Sequence, residues 1–274
     1  MNVYEIITNK ILEELERGEC LPWHKPWKSA LGEEPVNMQR KKAYRGLNRF
    51  LLGHLPYERP YFVTYDQAKK FGGHVKSGEK GAPVIFWKRG TYTKNYTVFN
   101  IAQCDGLERH LTPAPDLPVN VFTPIERAES IAAQYHNAPA IRYKAGDRAY
   151  YTPPTDTVVM PERSQFSSAA EFYSTLFHEL THSTGHESRL KRASLTDACY
   201  FGDTNYSQEE LVAELGAAFL CGEAGIDNAA ALKNSAAYVD GWRRKLKGDS
   251  RLIVTAAAQA QKAADYILGI KHEG

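Results

Sequence analysis

Apolar residues recur every three or four positions from Val3 to Leu15, through Ile6, Ile7, Ile11 and Leu12, while Glu13, Glu14 and Glu16 fall largely between them and Gly18 closes the run. A 3.6-residue period of this kind predicts an amphipathic helix at the start of the chain. LPWHKPW follows, where Pro22 and Pro26 forbid regular helix and set Trp23 and Trp27 on an irregular segment. The pattern then predicts a short helix over residues 64–71, a glycine-punctuated loop through FGGHVKSGEKGAP, and strands around 84–87 and 96–101. LTPAPDLPVN, with Pro113, Pro115 and Pro118, reads as a linker. Beyond it the periodicity predicts a helix over 124–135, and AYYTPPTDTVVMP reads as two short strands about a proline turn. Helices are expected over 169–183, over 208–221, and through a long alanine-rich region ending near Leu268. The fold class is α+β in two domains: a small α+β domain over 1–115, a proline-rich linker over 116–123, and a mainly helical domain with a small β-sheet over 124–274.

Length agrees with this division, since 274 residues exceed the ~100–200 usual for one domain. At 43% hydrophobic and 24% charged, the composition is that of a folded globular protein and excludes a disordered chain. The opening segment carries acidic residues and no long apolar run, which argues against a signal peptide or membrane span and for a cytoplasmic location. Cys20, Cys104, Cys199 and Cys221 stand far apart with no CxxC pair, so reduced, buried thiols are expected rather than a zinc knuckle or a disulfide framework. The net charge of +2 hides an asymmetry: residues 1–124 hold 18 Lys+Arg against 13 Asp+Glu, and the remainder 16 against 19. Within 37–99 the count is 13 basic against 3 acidic, interleaved with twelve aromatics, which suits an anionic partner.

The chemistry-bearing motif is HELTH, from His178 to His182. Two histidines four residues apart project from one face of a helix and can share a Zn²⁺, leaving Glu179 to address a water. At ~100° per residue, His182 falls about 40° from His178, whereas Phe172, Tyr173, Leu176, Phe177 and Leu180 fan over about 120° to 260°, so one face packs while the other binds. Ser168-Ala-Ala-Glu171 is a capping-box pattern that fixes where this helix begins.

A hydrolytic zinc site needs a third protein ligand. His186 lies beyond Gly185, where the helix is expected to end, and Ser188 stands where the HExxHxxGxxH pattern requires histidine. In YSQEELVAELGAAFL, Glu210 and Glu214 share a helical face, and Gly216, Ala217 and Ala218 permit close approach of a second helix. Ser207-Gln-Glu-Glu210 reads as another capping box that would commit Glu210 to the helix start, so Glu214 is the expected third ligand, with Glu210 or Asp203 in support. The plain alternative is a solvated pair of surface glutamates. The expected cofactor is Zn²⁺, with Mn²⁺ a second divalent candidate, and the expected chemistry is hydrolysis of a carbonyl substrate with Glu179 as general base. Tyr200, Tyr206 and His186 are candidates to stabilise an oxyanion.

The basic half pairs tryptophans on a proline-rich segment with NMQRKKAYRGLN, a combination suited to stacking bases and neutralising phosphates of single-stranded nucleic acid. The plain alternative makes Trp23 and Trp27 core anchors. GGHVKSGEKGAP lacks the Gly-Lys-Ser/Thr ending of a P-loop, which argues against nucleotide hydrolysis. PWHKPW, NMQRKKAYRGLN, VTYDQAKKFGGHVKSGEKGAPVIFW and VFNIAQCDGL together resemble the N-terminal domain of ArdC-type antirestriction proteins, shared with plasmid-encoded conjugative primases. HELTHSTGHESRL and YSQEELVAELGAAFL resemble the metallopeptidase domain that follows it in that family, so the resemblance spans nearly the whole chain. It implies a plasmid-borne protein that binds single-stranded DNA and helps incoming DNA escape host restriction during conjugation, with restriction-system proteins as further partners and no membrane. The residues expected at the DNA are Trp23, Trp27, Lys41, Lys42, Tyr44, Arg45, Asn48, Lys76, Lys80 and Lys88. The competing expectation is a soluble zinc metalloprotease whose basic domain docks a protein substrate.

Overall fold

The computed structural model describes residues 3–16, 35–53, 55, 57, 59–88, 91–107, 124–144, 146, 148–196, 204–226 and 236–271. Trp23, Trp27, Tyr200, Asp203 and the linker over 116–123 lie outside the described residues. The chain divides into two compact units, one of Pro26–Val121 and one of Met1–Lys25 together with Phe122–Gly274.

The amphipathic opening is helical as its period requires, forming α1 (Val3–Glu16). The Pro26–Val121 unit then runs through β1 (Val36–Asn37), β2 (Lys42–Ala43), α2 (Gly46–Gly53), β3 (Tyr61–Thr64), α3 (Tyr65–Lys70), β4 (His74–Val75), β5 (Ala82–Lys88), β6 (Thr91–Asn100) and β7 (Cys104–Asp105). Its main sheet has the order β2-β1-β3-β6-β5, with β1 and β3 parallel and the other pairs antiparallel; β4 and β7 form a separate antiparallel pair. Because side chains alternate across a strand, two cores form. Tyr44, Leu52, Phe62, Ala82, Val84 and Val98 make one, and Met38, Val63, Ala68, Ile101, Cys104 and Leu107 make the other. Thr64 caps α3 through a reciprocal pair: Gln67 N donates to Thr64 Oγ1, and Thr64 N donates to Gln67 Oε1.

The second unit continues with α4 (Pro124–Gln134), β8 (Ala140–Tyr143), β9 (Tyr150–Thr152), β10 (Thr157–Met160), α5 (Ala169–Ser183), α6 (Ala193–Thr196), α7 (Thr204–Ala224), α8 (Ala236–Gly248) and α9 (Leu252–Ile267). Its sheet has the order β8-β10-β9, and the proline turn between β9 and β10 is a single 3-10 turn at Pro153–Thr155. The expected alanine-rich helix is in fact two, since the backbone turns at Asp249, whose carboxylate accepts from the N–H of Arg251. Helices α5, α7 and α9 pack together, and the α9 alanines other than Ala258 are buried in that core.

The division differs from the expected domains at both ends of the first: that unit extends to Val121 rather than ending at residue 115, and Met1–Lys25, with α1, belongs with the second unit. Ile7, Ile11, Leu12 and Leu15 are buried, α1 packs on α8 and α9, and Thr8 Oγ1 donates to Ser250 O at 2.8 Å. An apolar stripe must be covered by whatever surface matches it, however distant in sequence. Cys104 and Cys221 are both buried. No helix among the described residues is long and apolar enough to cross a membrane.

Candidate metal centre and basic groove

Helix α5 begins where Ser168 accepts from the N–H of Glu171 at 3.1 Å, while the Glu171 carboxylate accepts from Ser167 N rather than from the capping residue's own N–H. Starting there, the helix places His178 and His182 on one face with their Nε2 atoms 3.1 Å apart. Phe172, Tyr173, Leu176, Phe177 and Leu180 are buried on the other side. Glu179 is buried to 7% exposure.

The carboxylate that joins the two imidazoles is that of Glu210. Its oxygens lie 3.7 Å from His178 Nε2 and 3.6 Å from His182 Nε2. One ligand atom from each of His178, His182 and Glu210 falls within 4.8 Å of the others, and this is the sole such grouping among the described residues. A cap at Ser207 would commit Glu210 to the helix start and leave Glu214 as the ligand. Helix α7 instead starts a turn earlier, at Thr204, which leaves Ser207 buried inside it and Glu210 free of capping duty. Glu214 lies one turn further on and acts on His178 and Glu210 through its charge. His186 is engaged by Ser188, whose Oγ lies 2.8 Å from its Nδ1, away from the grouping. Tyr206 lies on α7, its side chain outside the described residues.

Close helix packing makes this convergence possible. A Cβ on Gly216 would lie 2.4 Å from Thr181 Cγ2, so glycine lets α7 approach α5. A second connection holds the histidine ring. His182 Nδ1 lies 3.1 Å from Glu209 Oε1, and Glu209 also accepts from Arg192 Nε at 3.0 Å, Arg192 Nη2 at 2.5 Å and Ser194 Oγ at 2.6 Å. Arg192 further donates to Thr181 O at 2.8 Å and to Thr184 Oγ1. With Nδ1–H donated to Glu209, the His182 lone pair at Nε2 faces the centre. Glu209 and Arg192 had no signal in the sequence beyond an acidic pair at a helix start and one base among several.

These donors fit a divalent cation. Two imidazole nitrogens at Zn–N of about 2.0–2.1 Å in tetrahedral geometry stand ~3.3 Å apart, close to what His178 and His182 present. The surroundings also favour positive charge. Burial lowers the His178 imidazole pKa, but the Glu210 hydrogen bond and the charges of Glu179, Glu214 and Glu210 outweigh it and push the group up to about 9. Burial raises the Glu209 carboxyl, yet His182 and Arg192 together hold it down at about 2.

On the Pro26–Val121 unit, the expected DNA residues take different places. Lys41, Lys42, Arg45 and Lys80 are exposed, and Lys41 adopts φ 51° in the turn between β1 and β2. Tyr44 is buried to 8% and accepts from Asn37 Nδ2, so it is largely a core anchor. Asn48 bonds both backbone groups of Ile85, at 2.6 and 2.8 Å, and thereby closes the free edge of β5. Lys76 Nζ donates to Ala102 O at 2.9 Å. Lys88 lies on β5, its side chain outside the described residues. An open groove of about 690 Å³ lies between the β1–β2 turn, α3 and the sheet, lined by Arg40, Tyr65, Phe86 and Tyr96 among others. Tyr65, Phe86 and Tyr96 are among the twelve aromatics of the basic stretch 37–99, but none of the four is among the residues expected at the DNA. The alternation Ala82, Val84, Phe86 along one strand face was the available signal.

Known proteins resemble both units. A family described as zincin-like metallopeptidase matches residues 126–259, and one described as the N-terminal domain of anti-restriction factor ArdC matches residues 1–113. Two Escherichia coli proteins named DNA primase TraC are each 34% identical over 98% of this chain, which spans only 20% and 27% of their lengths. Protein y4eC of Sinorhizobium fredii (strain NBRC 101917 / NGR234) is 34% identical, over 97% of this chain and 91% of that one. The Mn(II)-bound crystal structure of antirestriction ArdC from plasmid R388 superposes with a TM-score of 0.75 at 36% identity, covering 98% of both chains. The metal-free structure of that protein gives 0.73 at 37%, covering 97% of both chains.

Proposed function

The chain belongs to the ArdC family of antirestriction proteins, and from that premise we propose that it binds single-stranded DNA through its Pro26–Val121 unit, carries out metal-dependent hydrolysis in the other, and shields incoming DNA from host restriction during conjugation. The observation that carries the enzymatic part is the convergence of His178, His182 and Glu210 from α5 and α7. These three would hold a divalent cation, Zn²⁺ by the preference of a His₂-carboxylate set, with Mn²⁺ the alternative suggested by the relative from R388. When bound, the cation supplies Lewis acidity, lowering the pKa of water and polarising a carbonyl oxygen. Glu179, adjacent in the motif and shielded from bulk water, accepts the proton of an attacking water and returns it to the leaving amine. Glu209 holds the His182 ring through Nδ1, and Arg192 holds Glu209. The DNA-binding part is supported by the basic, aromatic surface of the first unit and by the family of its N-terminal domain. Proteins of the restriction machinery are the proposed substrates or binding partners.

The test has two arms on the full chain. Metal-stripped protein titrated with Zn²⁺ and Mn²⁺ should take up one equivalent, and His182→Ala should take up none. Labelled single-stranded DNA should bind better than duplex, with affinity falling steeply as salt rises. Chelator-sensitive proteolysis of a protein substrate without any DNA binding at low salt would favour the metalloprotease whose basic unit docks that substrate.

A further inference from the structure

The face of the main sheet that carries Ala82, Val84 and Phe86 changes character along β5. Ala82 and Val84 are 5% and 1% exposed and pack with Leu52 of α2, whereas Phe86 is 39% exposed. Its neighbour across the strands, Tyr96, is 42% exposed, and Tyr65 at the start of α3 is 50% exposed. Three of the seven large hydrophobic side chains exposed among the described residues therefore line one groove. Scattered singly they would mean nothing, but clustered in a concave site they mark a binding surface.

Cations accompany these rings. The Arg40 guanidinium carbon lies 5.0 Å from the centroid of Phe86, and Lys69 Nζ lies 5.0 Å from that of Tyr65. Arg40 is held over the groove by its turn, its N–H donating to Asn37 Oδ1 at 2.9 Å. Lys70 also lines the groove, and Asp66 is the one acidic lining residue. Flat apolar faces beside fixed positive charges suit a ligand with flat rings and regularly spaced negative charges. Duplex DNA offers only base edges in its grooves, so rings that stack need unpaired bases.

We infer that this groove is where unpaired bases of single-stranded DNA stack, on Phe86, Tyr96 and Tyr65, with Arg40 and Lys69 meeting the adjoining phosphates. The inference rests on the DNA-binding reading above and gives it an address distinct from the tryptophans and lysines expected from sequence.

Fluorescence anisotropy of the full chain with a labelled single-stranded oligonucleotide tests it. Phe86→Ala and Tyr96→Ala should each weaken binding by about 5- to 150-fold, the range of one lost stacking contact, and Phe86→Trp should restore it. A wild-type arm does not depend on how the variants fold: an oligonucleotide carrying 5-iodouracil, irradiated on the protein, should crosslink to Phe86, Tyr96 or Tyr65. If the wild type binds DNA while both alanine variants bind within about twofold of it and crosslinks map elsewhere, the groove is not the site and the DNA reading survives. If the wild type binds no single-stranded DNA, the functional reading itself fails. Tighter binding of single-stranded RNA than of DNA through the same rings would overturn DNA as the occupant.

Discussion

Under the proposed function, four glutamates around two histidines have four different duties, and single substitutions should separate them. Glu179→Gln is expected to keep one equivalent of metal and lose hydrolysis by about 10²–10⁴-fold, measured as turnover on any peptide the wild type cleaves. Glu209→Gln should weaken metal binding by about 10–100-fold, the usual effect of removing the partner that orients a ligating histidine. Glu210→Gln should cost more than that, and Glu214→Gln less, in the same calorimetric titration. Equal losses from the last two would return Glu214 to the ligand set. HELTH was legible because spacing alone puts two imidazoles on one face. The choice between Glu210 and Glu214 was not, because it depended on where α7 starts, and a Ser-x-x-Glu pattern occurs inside helices as well as at their ends.

At the scale of elements, the contact of α5 with α7 is governed by one missing methyl group. Gly216→Ala would place a Cβ 2.4 Å from Thr181 Cγ2, and we expect a loss of roughly 1–3 kcal/mol in chemical denaturation. Adding Thr181→Ala should relieve much of it, so the two changes should be strongly non-additive. The buried Arg192–Glu209 pair ties the segment after α5 to α7 and carries a pH signature. The folded Glu209 carboxyl titrates at about 2, below its ordinary value of 4.5. Its stabilisation is therefore complete above the ordinary value and is lost as pH falls from there through about 2. That loss amounts to about 3 kcal/mol, visible as a shallower acid limb in Glu209→Gln. Element positions followed the sequence where a genuine cap or a clear period marked them, as at Ser168 for α5 and over residues 3–15 for α1, and failed at Ser207, where the capping pattern lies inside the helix. The two-residue strands β1 and β2, and the edge strand β8, offered too few residues for a period to show. The groove itself was not legible for a related reason: composition counts Phe86 and Tyr96 among twelve aromatics, whereas only the register of β5 with β6 brings those two side by side.

For the molecule as a whole, the telling element is α1. It precedes the Pro26–Val121 unit in sequence but packs in the unit that holds the metal centre. Ile11, buried to 1%, should when changed to Ala destabilise that unit by about 2–5 kcal/mol. Thermal melts should report the change, and metal retention on heating should fall with it. An effect confined to DNA affinity would place α1 with the other unit.

That arrangement also fixes an order in time. A ribosome releases α1 well before α8 and α9, against which it settles, and Thr8 must wait for Ser250. The Pro26–Val121 unit is complete long before then and can fold on its own schedule. Contacts between segments so distant in sequence are also slow to form, because a long loop must close before they are rewarded. If that unit binds single-stranded DNA as proposed, the nascent protein would be able to grasp a strand before the metal centre of the other unit is assembled.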